Sequence, residues 1–328
     1  MELRKIGDRD VSILGVGGMS FSDFYGATNE AESHAVLDAA VEAGVNHIDT
    51  ANIYGMGKSE SAIGSWLADR GGRDGLFIAT KAGISRGVGA AAGNFDNSAD
   101  YLEAELDASL QRLGTDHVDL FYIHRRDQSI PIEDVTGTLA RLIEKGKTRA
   151  FGYSEISPAS LRRAHAVHPV AAVQSEYSLQ TRQPDLGLVQ TCAELGTTLV
   201  AFSPVGRGLL TDLPPPPDKY TDQPWMASNP RFVEPNLSAN IAATEPLRAL
   251  AKSHGVATAA LALRWVYDQG DHIVAIPGTR AATRFKEYLD AEKVPAEAME
   301  EVTHLLPVGW SHGDRYSRGQ WNGPENYC

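Results

Sequence analysis

The stretch HIDTANIYGMGKSE, residues 47 to 60, runs out of apolar residues into Asp49 and Tyr54. Two later apolar runs also end in a titratable group, FIATK at Lys81 and LFYIH at His124. An acid, a phenol, an amine and an imidazole at successive strand ends are the set that carbonyl reduction needs. Hydride arriving at a carbonyl carbon leaves negative charge on oxygen, so a proton donor must stand within hydrogen-bond reach. A phenol of free pKa about 10 is a poor acid near neutrality unless a cation lowers it. Lys81 can supply that charge, Asp49 can hold the amine, and His124 can orient or polarise the carbonyl. Each residue also has an ordinary alternative. An Asp before Thr-Ala caps helices, a lone Tyr packs half-buried, and a strand-end Lys or His merely leaves the core. The alternative for Lys81 is the Schiff-base lysine of a barrel aldolase, which needs a desolvated amine without a fixed carboxylate partner and leaves the segment IPGTR unexplained.

Such groups need a frame that brings strand ends together. Eight short apolar runs qualify as strands: SILGVGG, VNHIDTA, GLFIATKAG, HVDLFYIH, TRAFGYSE, AAVQSEY, TLVAFSPV and HIVAIPGT. Amphipathic segments with readable ends separate them. Asn29 with Glu32 predicts a capping box and Gly44 a helix end. Ser98 predicts a cap for a helix whose Leu102, Leu106, Leu110 and Leu113 form one stripe before Gly114. Ser157 followed by Pro158 predicts another start. Apolar strands alternating with helices argue for parallel pairing, since parallel strands need crossovers and are buried on both faces. The expected fold is α/β, a (β/α)₈ TIM barrel, preferred to a doubly wound sheet. An N-terminal β-hairpin, LRKIGDRDVSIL, turns at Gly7 and Asp8. No Gly/Ser-rich linker divides the chain, so residues 1–328 read as a single domain. The proline-rich segment 213–236 reads as a loop over one barrel face. The extended C-terminal tail GWSHGDRYSRGQWNGPENYC, with Arg315 and Arg318, is either disordered or a flap.

Composition narrows the partners. The 328 residues are 42% hydrophobic and 22% charged, with a net charge of −12 that would repel a phosphate backbone, so nucleic acid is not expected. The opening MELRKIGDRD is charged where a signal peptide is apolar, and no run is long enough to span a bilayer. A cytoplasmic protein without membrane partners is expected. Cys192 and Cys328 have no paired spacing. HAVH, residues 165 to 168, reads as a solvated helix end, and no metal is expected. LGVGGMS lacks the last glycine of a dinucleotide fingerprint, with Ser20 in its place.

At HIDTANIYGMGKSE, FIATKAG and DLFYIHRRD the chain resembles the aldo-keto reductases, in their bacterial and plant branches. The resemblance runs from LGVGGMSF to RFKEYL. It implies a (β/α)₈ barrel, bound NADP(H), and reduction of aldehydes or ketones with Tyr54 as acid, supported by Asp49, Lys81 and His124. It implies that Ser154 and Gln174 hold the carboxamide and that Phe202 stacks on the nicotinamide. In AFSPVGRGLL, Ser203, Pro204, Gly206 and Gly208 join the cofactor set. In IPGTRAATRFKEY, Gly278 and Thr279 would meet phosphate, Arg280 and Arg284 would pair with a 2′-phosphate, and Glu287 and Tyr288 would lie near the adenine. Three positions depart from the common pattern: Glu155 and Tyr288 each replace Asn, and Phe202 replaces Tyr. The family also includes channel-associated subunits, so an NADP(H)-binding sensor with little turnover is a second reading. Phe21, Phe24, Tyr25, Arg125, Arg126 and Trp225 read as a partly aromatic, positive rim that suits an aromatic, sugar-like or vitamin aldehyde. On the opposite reading Arg125 and Arg126 pair with Asp127 or other surface acids.

Overall fold

The computed structural model describes residues 1–85, 94–220 and 223–327, which leaves Cys328 outside the described residues. Eight strands form one sheet, each hydrogen-bonded to the next in chain order. They are β1 (Val16–Gly17), β2 (His47–Asp49), β3 (Phe77–Ala82), β4 (Val118–Ile123), β5 (Thr148–Ser154), β6 (Ala172–Glu176), β7 (Thr198–Phe202) and β8 (Ile273–Ala275). Every pairing is parallel. Leu14 bridges in parallel to Ala275, and Ala275 N donates to Ile13 O at 2.9 Å, so the last strand returns to the first and closes the barrel. The expected fold and strand order are therefore borne out.

Helices cover the outside: α1 (Glu30–Glu42), α2 (Lys58–Asp69), α3 (Ala99–Leu113), α4 (Ile132–Glu144), α5 (Pro158–Val167), α6 (Leu188–Leu195), α7 (Thr258–Tyr267) and α8 (Ala282–Leu289). Asn29 caps α1 by accepting from Glu32 N at 2.9 Å, while the Glu32 carboxylate accepts from Thr28 rather than closing the reciprocal box. Ser157 accepts from Ser160 N, as Ser-Pro suggested. Ser98 makes no such cap; its own N–H donates to the carboxylate of Asp96, two residues earlier. The four leucines of the α3 stripe are buried against the sheet. His165 closes α5, where its Nδ1 accepts from Val170 N at 3.3 Å. Among the described residues no helix is long and apolar enough to cross a membrane.

The barrel interior follows from strand period two. Phe77 and Ala79 of β3, Leu120 and Tyr122 of β4, Ala172 of β6, Val200 of β7 and Val274 of β8 form one inner cluster. Ile6 and Val11, from the hairpin strands Leu3–Ile6 and Arg9–Ser12, close its floor. The alternate residues, such as Ile78, Phe121, Val173 and Leu199, join the helices in the outer core. Continuing the inner row upward reaches Asp49, Lys81, His124, Ser154, Gln174 and Phe202 at the carboxyl ends. The alternation that fills the barrel thus also aims the candidate chemistry at one mouth.

Gly152 shows how tight the interior is. A Cβ there would stand 2.4 Å from Ala172 O and 2.7 Å from the Tyr122 ring, so the bare backbone is what admits Tyr122. Gly152→Ala is expected to cost about 1–3 kcal/mol through overpacking, read as a lower urea midpoint. An unchanged midpoint and slope would mean that β5 and β6 can part without penalty.

Candidate active site

Lys81 is fully buried and Asp49 is 2% exposed, and the ammonium donates to the Asp49 carboxylate. Lys81 Nζ also donates to Thr50 O at 2.7 Å, and Gln174 Nε2 donates to the second Asp49 oxygen at 2.8 Å. Burial pulls the lysine down, and the Asp49 charge opposes that shift. Beneath them His47 is kept neutral, since burial and then the Lys81 charge bring it down to about 3. Above the pair stands Tyr54, half-buried, its ring centroid 5.2 Å from Lys81 Nζ. His124 meets that ring edge-on at 5.7 Å. Among the sequence-predicted groups, these four do come together.

One expectation is reversed. Lys81 was to lower the phenol's pKa, yet burial, and after it the Asp49 charge, push Tyr54 upward, with Arg125 and Arg207 pulling the other way. The lysine's charge is spent on Asp49, and desolvation of a phenolate outweighs the cations in reach. Tyr54 therefore holds its proton through the neutral range.

A cleft of about 860 Å³ opens over these groups. Asp49, Tyr54, His124, Ser154, Gln174 and Phe202 line its inner end. Ser203, Pro204 and Gly208 line it on the β7 loop, and Gly278, Thr279, Arg280, Arg284 and Tyr288 line it beside the start of α8. Two predicted cofactor residues stand off this lining. Gly206 is buried in the β7 turn and Glu287 lies half-buried on α8, where burial raises its carboxyl. Ser154 Oγ accepts from Arg125 at 3.0 Å, and Tyr288 donates to Gly278 O at 3.3 Å. Arg280 donates to Ala27 O at 2.9 Å.

The predicted rim needs two corrections. Phe21 is completely buried in the core, because the turn after β1 folds it inward. Arg126 points away from this cleft and pairs with Glu325 at 3.3 Å. Phe24, Tyr25, Arg125 and Trp225 do line the cleft. Segment 213–236, expected to be irregular, carries a short helix at Pro224–Ala227 and a 3₁₀ turn at Pro230–Phe232.

The tail is docked. Arg315 is buried, pairs with Glu155, and donates to Glu176 at 3.2 Å. Glu176 also accepts from Arg207 at 3.2 Å and lies 3.7 Å from Arg231. Tyr316 then reaches the cleft, edge-on to Trp225. Sequence reasoning named Arg315 and Glu155 but missed the role of Glu176, Arg207 and Arg231. Glu176 ends β6 and Arg207 follows β7, whereas Arg231 lies in the proline-rich segment, where no strand end marks it. Among the described residues, five non-glycines adopt positive φ: Asp23, Met56, Glu155, Ser203 and Arg207. All lie on loops that follow strand carboxyl ends, where strain of about 1–3 kcal/mol per residue gathers at functional rims.

A closed (β/α)₈ barrel with a deep, mixed cleft at its C-terminal mouth belongs to the class of barrel enzymes whose chemistry sits on that face. Residues 13–306 match the model of the Aldo/keto reductase family. An aldo-keto reductase of Schizosaccharomyces pombe, yakc, named with NADP(+), is 37% identical over 321 residues, covering 96% of this chain and 94% of its own. A probable aldo-keto reductase of Glycine max is 37% identical over 314 residues, covering 94% and 90%. The solved glycerol dehydrogenase of Gluconobacter oxydans superposes with a TM-score of 0.76 at 27% identity, covering 93% of this chain and 96% of that one. The chain belongs to the aldo/keto reductase family, and it is an oxidoreductase.

The buried ionic cluster generates a stability prediction. Burial raises the Glu176 carboxyl, but Arg207, Arg315 and Arg231 outweigh it and bring it down to about 2, against 4.5 for a free group. Its stabilisation is therefore complete above pH 4.5 and is lost as pH falls toward 2. Glu176→Gln should cost about 3–5 kcal/mol at pH 7 in urea denaturation, with the deficit shrinking below pH 4.5. A deficit independent of pH would mean that the carboxylate's charge contributes nothing.

Proposed function

We propose that this protein uses NADPH to reduce an aldehyde or ketone to an alcohol, with Tyr54 as the proton donor. The observation that carries the reading is the buried Lys81–Asp49 pair beneath a protonated Tyr54 at the cleft's inner end. The fixed carboxylate on Lys81 counts against a Schiff-base aldolase, and family membership counts against a sensor without chemistry.

The cleft's residues fit the cofactor. At the far end α8 begins without a side-chain cap, so its first N–H groups suit phosphate, and Arg280 and Arg284 stand beside them. Gly278 and Thr279 would meet the phosphates, with Glu287 and Tyr288 toward the adenine. At the near end Ser154 and Gln174 would hold the carboxamide, and Phe202 would pack on the nicotinamide. Ser203, Pro204, Gly206 and Gly208 shape the loop between, where Gly206 and Gly208 take positive φ. A relative's NADP(+) name supports the same choice.

Bound NADPH supplies the hydride that reduces the carbonyl carbon. Tyr54 gives its phenolic proton to the oxygen as charge develops there, and the buried Lys81 charge steadies the tyrosine left behind. Asp49 keeps that ammonium ionised and in place, and Gln174 fixes Asp49. His124, set against the Tyr54 ring, orients the carbonyl oxygen. Residues 1–328 act as one domain in this reading, supported by the tail's ionic attachment to the barrel.

Tyr54→Phe removes one oxygen and keeps the ring, so aldehyde reduction should fall by about 10²- to 10⁴-fold. NADPH should still quench tryptophan fluorescence with near-unchanged affinity; a fully active variant would return Tyr54 to packing. Replacing Arg280 and Arg284 with Ala should weaken NADPH far more than NADH, a charge-assisted hydrogen bond being worth roughly 1.5–3 kcal/mol. Equal losses for the two cofactors would refute the 2′-phosphate assignment.

A further inference from the structure

Most cations in the cleft already have employment. Arg207 is held by Glu176 and by Tyr25, whose hydroxyl accepts at 2.9 Å. Arg280, Arg284 and Lys219 gather at the α8 end, close enough for the two arginines to depress the lysine after burial has done so. Arg125 differs. It directly follows His124, so it lies at the reacting end, and its Nη1 donates to His124 O at 2.6 Å and to Ser154 Oγ at 3.0 Å. The tail covers its stem at Gly323, where a Cβ would come within 2.9 Å of Arg125 Cδ. Among the described residues no carboxylate pairs with Arg125, and its Nε and Nη2 groups find no protein acceptor. This is a half-buried guanidinium fixed by one nitrogen, with forked donors to spare.

Beside it runs a continuous aromatic wall. Phe24 meets Tyr25 at 5.0 Å and Trp225 at 5.3 Å, and Trp225 meets Tyr316 at 6.0 Å. The rings meet edge-on or tilted, a lining that favours an aromatic body, while a guanidinium with unused donors favours a carboxylate. With a net charge of −12 the molecule as a whole repels anions, so attraction must come from a local cation.

Resting on the carbonyl-reductase reading, we infer that Arg125 is a substrate-binding residue, selecting aromatic aldehydes or ketones that carry a carboxylate. The carboxylate is a handle only; C–H forms at the carbonyl carbon with hydride that NADPH would supply and O–H forms at its oxygen with the Tyr54 proton, while the carbonyl π bond, the nicotinamide C–H and the phenolic O–H break. Arg125 is also among the cations that draw the Tyr54 phenol downward against burial, consistent with a place near the reacting oxygen.

The test compares kcat/KM for 4-carboxybenzaldehyde and 4-methylbenzaldehyde in wild type and Arg125→Met, which keeps the apolar stem. The carboxylated-to-methyl ratio should exceed one in wild type and fall by about 10- to 100-fold in the variant, mainly through KM. An unchanged ratio, or equal losses of kcat on both substrates, would overturn the assignment and leave Arg125 as a positioning residue for Tyr54. Calorimetry with 4-(hydroxymethyl)benzoate and NADP+-saturated protein separates the two claims. Equal affinity in wild type and variant overturns the role of Arg125 even with turnover intact. The expected affinity difference in a protein that reduces no aldehyde upholds Arg125 and overturns the reductase reading instead.

Discussion

A charged lysine at the centre of an apolar barrel is the constraint around which the upper half of this molecule is arranged. Lys81 has no access to water, so its charge requires Asp49, and Asp49 in turn requires a donor for its second oxygen, which Gln174 supplies from across the barrel. An unpaired charge at such depth would cost several kcal/mol. Three strands, β2, β3 and β6, are thereby tied at their carboxyl ends by polar contacts, where the lower barrel relies on side-chain packing. Tyr54 is the group that sits on this polar plug.

The same chemistry sets the electrostatics of the mouth. Because Asp49 compensates Lys81, little of the lysine's field is left to acidify the phenol in the resting protein, and desolvation dominates. The Tyr54 phenol thus stays protonated, as the proposed role of proton donor requires. A second buried cluster, Glu155 and Glu176 with Arg207, Arg231 and Arg315, works at the rim. It attaches the tail to the loops after β5, β6 and β7 and so places Tyr316 and Trp225 along the cleft. Glu155, which departs from the common Asn, here has a partner in Arg315 and is turned toward the tail.

What could be read from sequence was what local periodicity dictates. Apolar runs ending in Asp49, Lys81 and His124 placed these side chains on the barrel's inner row, since alternation along a strand leaves no choice of face. The stripe of Leu102, Leu106, Leu110 and Leu113 likewise fixed the inner face of α3. Loops have no such period, so Phe21 turned inward against expectation, and of the two readings open for Arg126 the rim failed and an ion pair, with Glu325, is found. Contacts distant in sequence were the least legible. Arg315 meets Glu155 across 160 positions, and nothing in a tail rich in Gly, Trp and Arg states which acid it will find. The downward shift expected of Tyr54 failed for a similar reason: it depended on how fully Asp49 occupies Lys81, which is a matter of geometry.

The most direct test asks whether the buried pair is there for chemistry or for the fold. Removing one partner alone would strand the other, whereas replacing both charges with neutral groups of similar shape is often neutral or stabilising. The double variant Asp49→Asn with Lys81→Met, Tyr54 left intact, should unfold in urea at or above the wild-type midpoint. In a single-turnover measurement of NADPH oxidation by an aromatic aldehyde, its rate should nevertheless fall by at least about 100-fold. A folded double variant that oxidises NADPH at the wild-type rate would contradict the account, leaving Lys81 and Asp49 as a structural plug and Tyr54 without the support claimed for it.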